Sequence, residues 1–537
     1  MALFKPSLVG PAIGQGGTVD SSAALSQSAP TLSELALQWC DRFRYALFAF
    51  IGAVYLAGFN GQWRMEPDAA LYLSIGRNLA EGRGFTYLGE PNHLAYPGWP
   101  WLIALTFKLF GTASLVPVHV LVFLLSLAAL ALTYRLFLLH SGRPTAVVVT
   151  LGVALTKTFY EFGFELWSDM AFTVWVMAFL AGYEGVFGRR QKMSEPQTSP
   201  RRWFDYVLMI GGMALAIVTR PTMWPLLLAA VATILYFAIR RRLNWKGVLA
   251  LVAALAVLAV TVMVLDSRRS SASDFGDAYE QYLLHRTLST PFITIRKVIT
   301  ENAPDLLLRA TADVLFQVRL GAFNAVFGLA VLGLGVGLFR RRVLWGMWFT
   351  GLTITLLLIN PIVRYFLPVV PLLVFAWWEL AVFLNRVFPR WFGNIAFAGL
   401  MVLGLGVNGS KVGGIIMQQH AKPFLANYDH GRFAAVPAFA DKLSHLDAPA
   451  DSIFLVETPY GRVLSFLSRQ KVVGAMQVSV SDLMTHPVYV IEPANDVTRE
   501  RIKKAGLAEG PTLVTETPDK TVGPKVSLSL HSTVPLK

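Results

Sequence analysis

The feature that most limits what this chain can become is its long, charge-free apolar blocks, such as Val248–Leu265 and Gly321–Phe339. Blocks of this length match the roughly 30 Å hydrocarbon core of a bilayer and are rare in soluble helices. The composition agrees: 54% of the 537 residues are hydrophobic and 15% are charged. That leaves too little polar surface to cover a soluble protein of this size. The expectation is an all-α polytopic membrane protein of about eleven spans, at 45–60, 113–139, 144–160, 169–187, 205–219, 222–239, 247–265, 321–339, 343–360, 365–385 and 391–409.

The formal charge of +14 does not point to nucleic acid. Its lysines and arginines gather in short runs between apolar blocks: Arg189, Arg190, Lys192, Arg201 and Arg202, then Arg240–Arg242 with Lys246, then Arg340–Arg342. Runs at alternate helix ends follow the positive-inside rule and suit contact with anionic lipid. They place the amino terminus in the cytoplasm and, with an odd span count, the carboxyl terminus outside. Residues 1–40 are rich in Ser, Gly, Ala and Pro and read as a flexible cytoplasmic tail. The membrane domain is expected over 41–409, with outside loops at 61–112 and 266–320. Short strand-like runs at 452–457, 471–474, 488–492 and 512–515 suggest a small α/β extracytoplasmic domain over 410–537. The single cysteine, Cys40, excludes an internal disulfide.

The first outside loop carries the most chemical information. After Glu66 and Pro67 comes Asp68, from which Leu71, Ile75 and Leu79 recur every four residues with Tyr72 alongside. Ser74, Arg77, Asn78 and Glu81 fall mostly opposite, so the spacing predicts a helix lying in the interface plane. Asp68 at its start fits a helix cap, and equally fits a carboxylate placed to take a proton from a hydroxyl. The second short loop is acidic, with Glu161, Glu165 and Asp169, and Asp169 at the mouth of the next span is again either a cap or a functional carboxylate. Arg220-Pro221 and Arg364-Tyr365-Phe366-Leu367-Pro368 set arginines beside proline-broken spans. An arginine there is costly and needs a partner, and it either snorkels or grips a phosphate with its planar fork. Glu66, Tyr96, Lys108 and Glu165 are further candidates for substrate contact, and His93, His285 and Arg286 for phosphate or sugar. Trp99 and Trp101 suit either a sugar platform or the interfacial belt.

The order of motifs carries a resemblance. An acidic residue and amphipathic helix are followed by Glu81-Gly82-Arg83-Gly84-Phe85, then Tyr96-Pro97-Gly98-Trp99-Pro100, then Lys108-Leu109-Phe110-Gly111. This series resembles the GT-C membrane glycosyltransferases, in particular bacterial relatives of protein O-mannosyltransferases and aminoarabinose transferases. The resemblance implies a glycosyltransferase that uses a polyprenyl-phosphate-linked sugar, inverts the anomeric centre, and acts on a lipid, glycan or protein acceptor at the outer membrane face. It implies Asp68 as the base, Asp169 as the acidic residue of the loop-to-helix junction, and Arg364-Tyr365 at the donor phosphate; by their position on the same side, Arg220 and His93 are candidates for that phosphate as well. Where many relatives carry Asp-Glu, this chain has Asp68-Ala69, which leaves Glu66 as the alternative second carboxylate. No cofactor or metal is expected, although two facing carboxylates can take a divalent cation. A transporter or lipid flippase is the alternative, and would call for ionisable residues at mid-span.

Overall fold

A computed structural model describes residues 30–92, 95–188, 202–240, 291–315, 323–358, 362–421, 435–456, 460–474, 480–494, 496–516 and 528–535. Five helices are long and apolar enough to cross a membrane: Val116–Ser141, Ser168–Gly188, Pro221–Ile239, Val363–Val387 and Arg390–His420. Five shorter apolar helices accompany them: Arg44–Gly58, Arg143–Leu155, Trp203–Thr219, Asn324–Arg340 and Val343–Leu358. The chain is a multi-pass membrane protein. The expected span at 247–265 lies outside the described residues.

Local chemistry sets the breaks. Val116–Ser141 ends at Gly142, whose φ of 91° stops the helix, and Pro144 opens the next one in its first turn. At Pro221 the chain leaves Arg202–Thr219 through an extended Arg220 and re-enters a single 3₁₀ turn, Pro221–Met223. This break puts Arg220 at a helix end without unwinding either span. Ser168–Tyr183 is the most enclosed span and packs closely on Arg202–Thr219. A Cβ on Gly212 would come within 2.6 Å of the Trp175 carbonyl and the Phe179 amide, so only glycine allows this backbone-to-backbone approach.

Two expected boundaries move. Residues 30–42 are not a loose tail: Thr31 and Glu34 form a reciprocal capping box that starts the helix Leu32–Arg42. Its first amides are then held by Asn394 at 3.2 Å and Asn385 at 3.0 Å. At the other end, the last apolar helix runs past 409 to Ala421. Asn408, Ser410 and Lys411 lower its hydropathy without breaking its hydrogen bonds, so a boundary drawn on hydropathy falls inside the helix.

The loop helix, Pro67–Ala80, does not lie on the membrane with an open polar face. Ala69, Ala70, Leu71, Leu73, Ile75 and Gly76 are all buried, which takes in most of its circumference. One side packs on the helix Gly98–Phe110 and the other on Tyr460–Ser468, a helix of the carboxyl-terminal tail. The tail carries a five-stranded sheet in the order Val472–Gly474, Ile453–Val456, Val488–Glu492, Leu528–Pro535, Leu507–Glu516. Its first three strands are parallel and the last two antiparallel. Alternate residues face two ways: Phe454 and Val456 join the core that contains Trp63, Ala69 and the spans, while Ile453 and Leu455 join a second cluster with Val490 and Ile502. The tail helix Tyr460–Ser468 is thereby fixed against the first loop.

Candidate active site

Asp68 occupies the first turn of the loop helix, yet it caps nothing; Glu66 is the N-cap residue and makes no side-chain capping bond. The Asp68 carboxylate is instead gripped from two directions. Arg364 Nη1 donates to Oδ2 at 2.9 Å, and Arg462 Nη1 donates to Oδ1 at 2.9 Å. The carboxylate side chain stays 36% exposed, so it can be reached from outside. Burial works against its ionised form, but Arg364 and Arg462 outweigh burial, Arg220 adds to them, and together they hold the carboxyl below the ordinary carboxylate range.

Asp169, at the start of its span, pairs with Arg220, and both side chains are buried. The ring of Tyr365 links the two ion pairs: the Arg220 guanidinium lies 5.0 Å from its centroid and that of Arg364 5.3 Å. Arg364 also lies 5.0 Å from the ring of Trp167. Tyr72, one turn beyond Asp68, accepts a 3.3 Å hydrogen bond from Ser168, and burial raises its phenol above the usual range, so it stays neutral. Asp68, Asp169, Arg220, Arg364 and Tyr365 thus meet in one cluster, from segments far apart in the chain. Gly98 helps to build it. A Cβ there would stand 2.8 Å from the Val218 carbonyl and 3.1 Å from Thr219 Cα, so glycine in the Tyr-Pro-Gly-x-Pro motif lets the first loop seat directly before Arg220.

Other candidates stand elsewhere. Glu165 is paired with Arg64 at 2.6 Å, and both side chains are buried. Trp99 is a core residue whose indole N–H donates to the Leu166 carbonyl at 3.1 Å, tying the first loop to the second, whereas Trp101 is exposed. Lys108 is exposed in the last turn of Gly98–Phe110, and Glu66 and Tyr96 are half-buried at the edges of the loop. His93, His285 and Arg286 lie outside the described residues. Replacing Glu165 with Gln would leave the Arg64 charge buried without its carboxylate, at a cost of about 3–5 kcal/mol. The expected result is a clear drop in the thermal midpoint of the purified protein, and an unchanged midpoint would contradict the pairing.

Arg462 went unread in the sequence. It belongs to the tail helix, which rests on the loop helix through Phe466: Arg77 donates to the Phe466 carbonyl at 2.9 Å and its guanidinium lies 3.9 Å from the ring centroid, while Trp63 meets the same ring edge-on at 5.2 Å. The one available signal was an arginine at the edge of the apolar stripe Tyr460, Val463, Leu464 and Phe466. As for a metal, Asp68 and Asp169 are both taken by arginines, and among the described residues no group of three His, Cys, Asp or Glu side chains could hold an ion. This donor set does not fit a protein-held cation.

No protein-family model matches the chain, and no curated protein does. Solved structures do. ArnT from Cupriavidus metallidurans in the apo state is 15% identical, with 91% of this chain and 97% of that chain covered and a TM-score of 0.55. The same protein bound to undecaprenyl phosphate is 13% identical, with 91% and 98% covered and a TM-score of 0.54. The oligosaccharyltransferase of Archaeoglobus fulgidus, tethered to an acceptor peptide, is 12% identical, with 85% of this chain and 70% of that one covered and a TM-score of 0.52. The overall, mostly helical fold of the chain is therefore similar to that of these structures, the GT-C fold.

Proposed function

We propose that the chain is a glycosyltransferase that moves a sugar from a polyprenyl-phosphate-linked donor to an acceptor hydroxyl on the outer face of the membrane, with inversion at the anomeric carbon. The observation that carries this reading is the Asp68 carboxylate held among Arg364, Arg462 and the Arg220–Asp169 pair at the edge of the membrane domain. The basic runs support a cytoplasmic amino terminus, with Asp68 and its arginines on the opposite side. Undecaprenyl phosphate in the ArnT structure supports the class of donor, and the acceptor peptide tethered to the archaeal enzyme supports an acceptor distinct from the lipid.

The chemistry follows from where charge moves. Asp68 takes the proton from the acceptor hydroxyl, whose oxygen attacks the anomeric carbon as the bond to the phosphate oxygen breaks. That electron pair goes to the phosphate, which turns from a monoanionic diester into a dianionic monoester. Asp68 becomes neutral in the same step. The guanidiniums lose their carboxylate partner as negative charge builds on the leaving group, so fixed cations serve both states without rearranging far. Tyr365 and Trp167 keep the guanidinium of Arg364 aimed through their ring faces.

The test is incubation of the purified protein with labelled undecaprenyl-phosphate sugars and lipid, glycan or peptide acceptors. Transfer accompanied by release of undecaprenyl phosphate is the expected outcome. A chain that neither binds undecaprenyl phosphate nor consumes any such donor would refute the reading.

A further inference from the structure

Arg462 reaches Asp68 from a tail helix 394 residues further along the chain, and it does so although Arg364 already serves that carboxylate. Its placement is built. Phe466, one turn along the same helix, is clasped by Arg77 and Trp63, and Gly461 lets the helix approach Val456 of the sheet, where a Cβ would stand 3.1 Å from a methyl group. Three guanidiniums, those of Arg220, Arg364 and Arg462, face two carboxylates, Asp68 and Asp169. The five groups carry a net charge of +1, which suits one phosphodiester monoanion. The Arg462 side chain is 29% exposed and that of Asp68 36%, so an arriving anion can meet Arg462 without the helix moving.

From this geometry we infer that Arg462 is a donor-phosphate-binding residue delivered by the carboxyl-terminal tail: it holds Asp68 while the site is empty and turns to the phosphate when the lipid-linked donor arrives. The tail is then part of the active site. Before the donor binds, both Asp68 oxygens are engaged by arginines, so Asp68 is a poor base. Binding of the phosphate draws Arg462 away and frees one carboxylate oxygen for the acceptor proton. Donor and base are coupled in this way, and an acceptor arriving first meets an unreactive carboxylate. The inference rests on the glycosyltransferase reading and adds the substrate contact that the tail provides.

The experiment measures binding of undecaprenyl phosphate, and of uncharged undecaprenol as its control, to detergent-purified full-length wild type, Arg462→Gln, Arg462→Lys and Arg469→Gln. Arg469 is exposed just beyond the same helix and lies 3.9 Å from Glu81, so it reports any general effect of charge on the tail. Arg462→Gln is expected to weaken undecaprenyl phosphate binding roughly tenfold or more and to leave undecaprenol binding unchanged, since a fork on a phosphate is a charge-assisted contact. Arg462→Lys should fall between, and Arg469→Gln should match wild type. Equal weakening for both ligands, or wild-type binding of the phosphate by Arg462→Gln, would overturn the inference. If Arg462→Gln does not purify as a folded protein, Arg462→Lys decides by the same two ligands. Failure of the wild type to bind undecaprenyl phosphate strikes the glycosyltransferase reading itself, whereas failure confined to the Arg462 variants strikes only the tail's part in it.

Discussion

Replacing Asp68 with Asn lowers sugar transfer by roughly 10²–10⁴-fold, the usual contribution of a positioned general base, while binding of undecaprenyl phosphate is kept or strengthened. The split between the two readouts is what identifies a base. Asn has the shape of Asp but cannot take the acceptor proton, and it removes the carboxylate to which both Arg364 and Arg462 donate. A structural anchor would behave differently, because losing it would loosen the loop helix and weaken donor binding as well. Undiminished transfer by the Asn variant would sink the mechanism. The pH profile gives a second reading. The groups facing Asp68 are Arg364, Arg462, Arg220 and, from its own helix, Tyr72. The three arginines hold the folded-state carboxyl below its unfolded value, so its ionised form and the stability its ion pairs add persist above the ordinary carboxylate range. Both are lost only as pH falls through the lowered value. The acid limb of kcat/KM, which reports the free enzyme, is therefore expected below the ordinary carboxylate range. The limb of kcat should lie higher, because the bound phosphate competes for the same arginines and adds its own negative charge. Coincident limbs would argue against a shared set of cations.

What the sequence could reveal divides along physical lines. Apolar length and the charges at block ends are local signals: they marked the described apolar helices, and the cost of an arginine beside a span singled out Arg220 and Arg364. Asp68 and Asp169 stood out only as carboxylates at helix starts, which caps would explain equally well. Partner choice is not local. Nothing around Glu165 distinguishes a substrate contact from the buried partner of Arg64, since the pairing depends on how two loops fold over each other. The loop helix had the right period, but its second buried face exists only because the tail packs over it through Phe466. Leu528–Pro535 is a strand made largely of Ser, His and Thr between its leucines, so it lacked the β-branched run that marked Ile453–Val456. Arg462 was hidden for the same reason as the loop helix's covering: the tail's docking brings it in, and its own helix reads as an ordinary amphipathic segment.

Arg364 is where the second large effect is expected. Arg364→Gln should lower kcat roughly 10²–10³-fold, the scale seen when one preorganised donor to a developing negative charge is removed. It should also weaken undecaprenyl phosphate binding, because the same fork meets the phosphate before and after the bond breaks. Asp68→Asn spares binding, so the two variants separate the base from the cation that serves the leaving group. Arg364→Lys keeps the charge but loses the planar fork and its stacking on Trp167 and Tyr365, and should recover part of the binding but little of the rate. The geometry behind this is specific. Arg364 Nη1 is committed to Asp68, while Nε is buried without a hydrogen-bond partner, so the guanidinium retains a donor for a second anion. Arg364 enters on a 3₁₀ turn, Val363–Val369, whose Pro368 precedes the span Val370–Val387, and this fixes where its side chain starts. A charge that only anchored the helix end would let Arg364→Lys restore full turnover. Full restoration by lysine, or normal turnover by glutamine, would remove Arg364 from the reaction and leave the leaving group to Arg220 and Arg462.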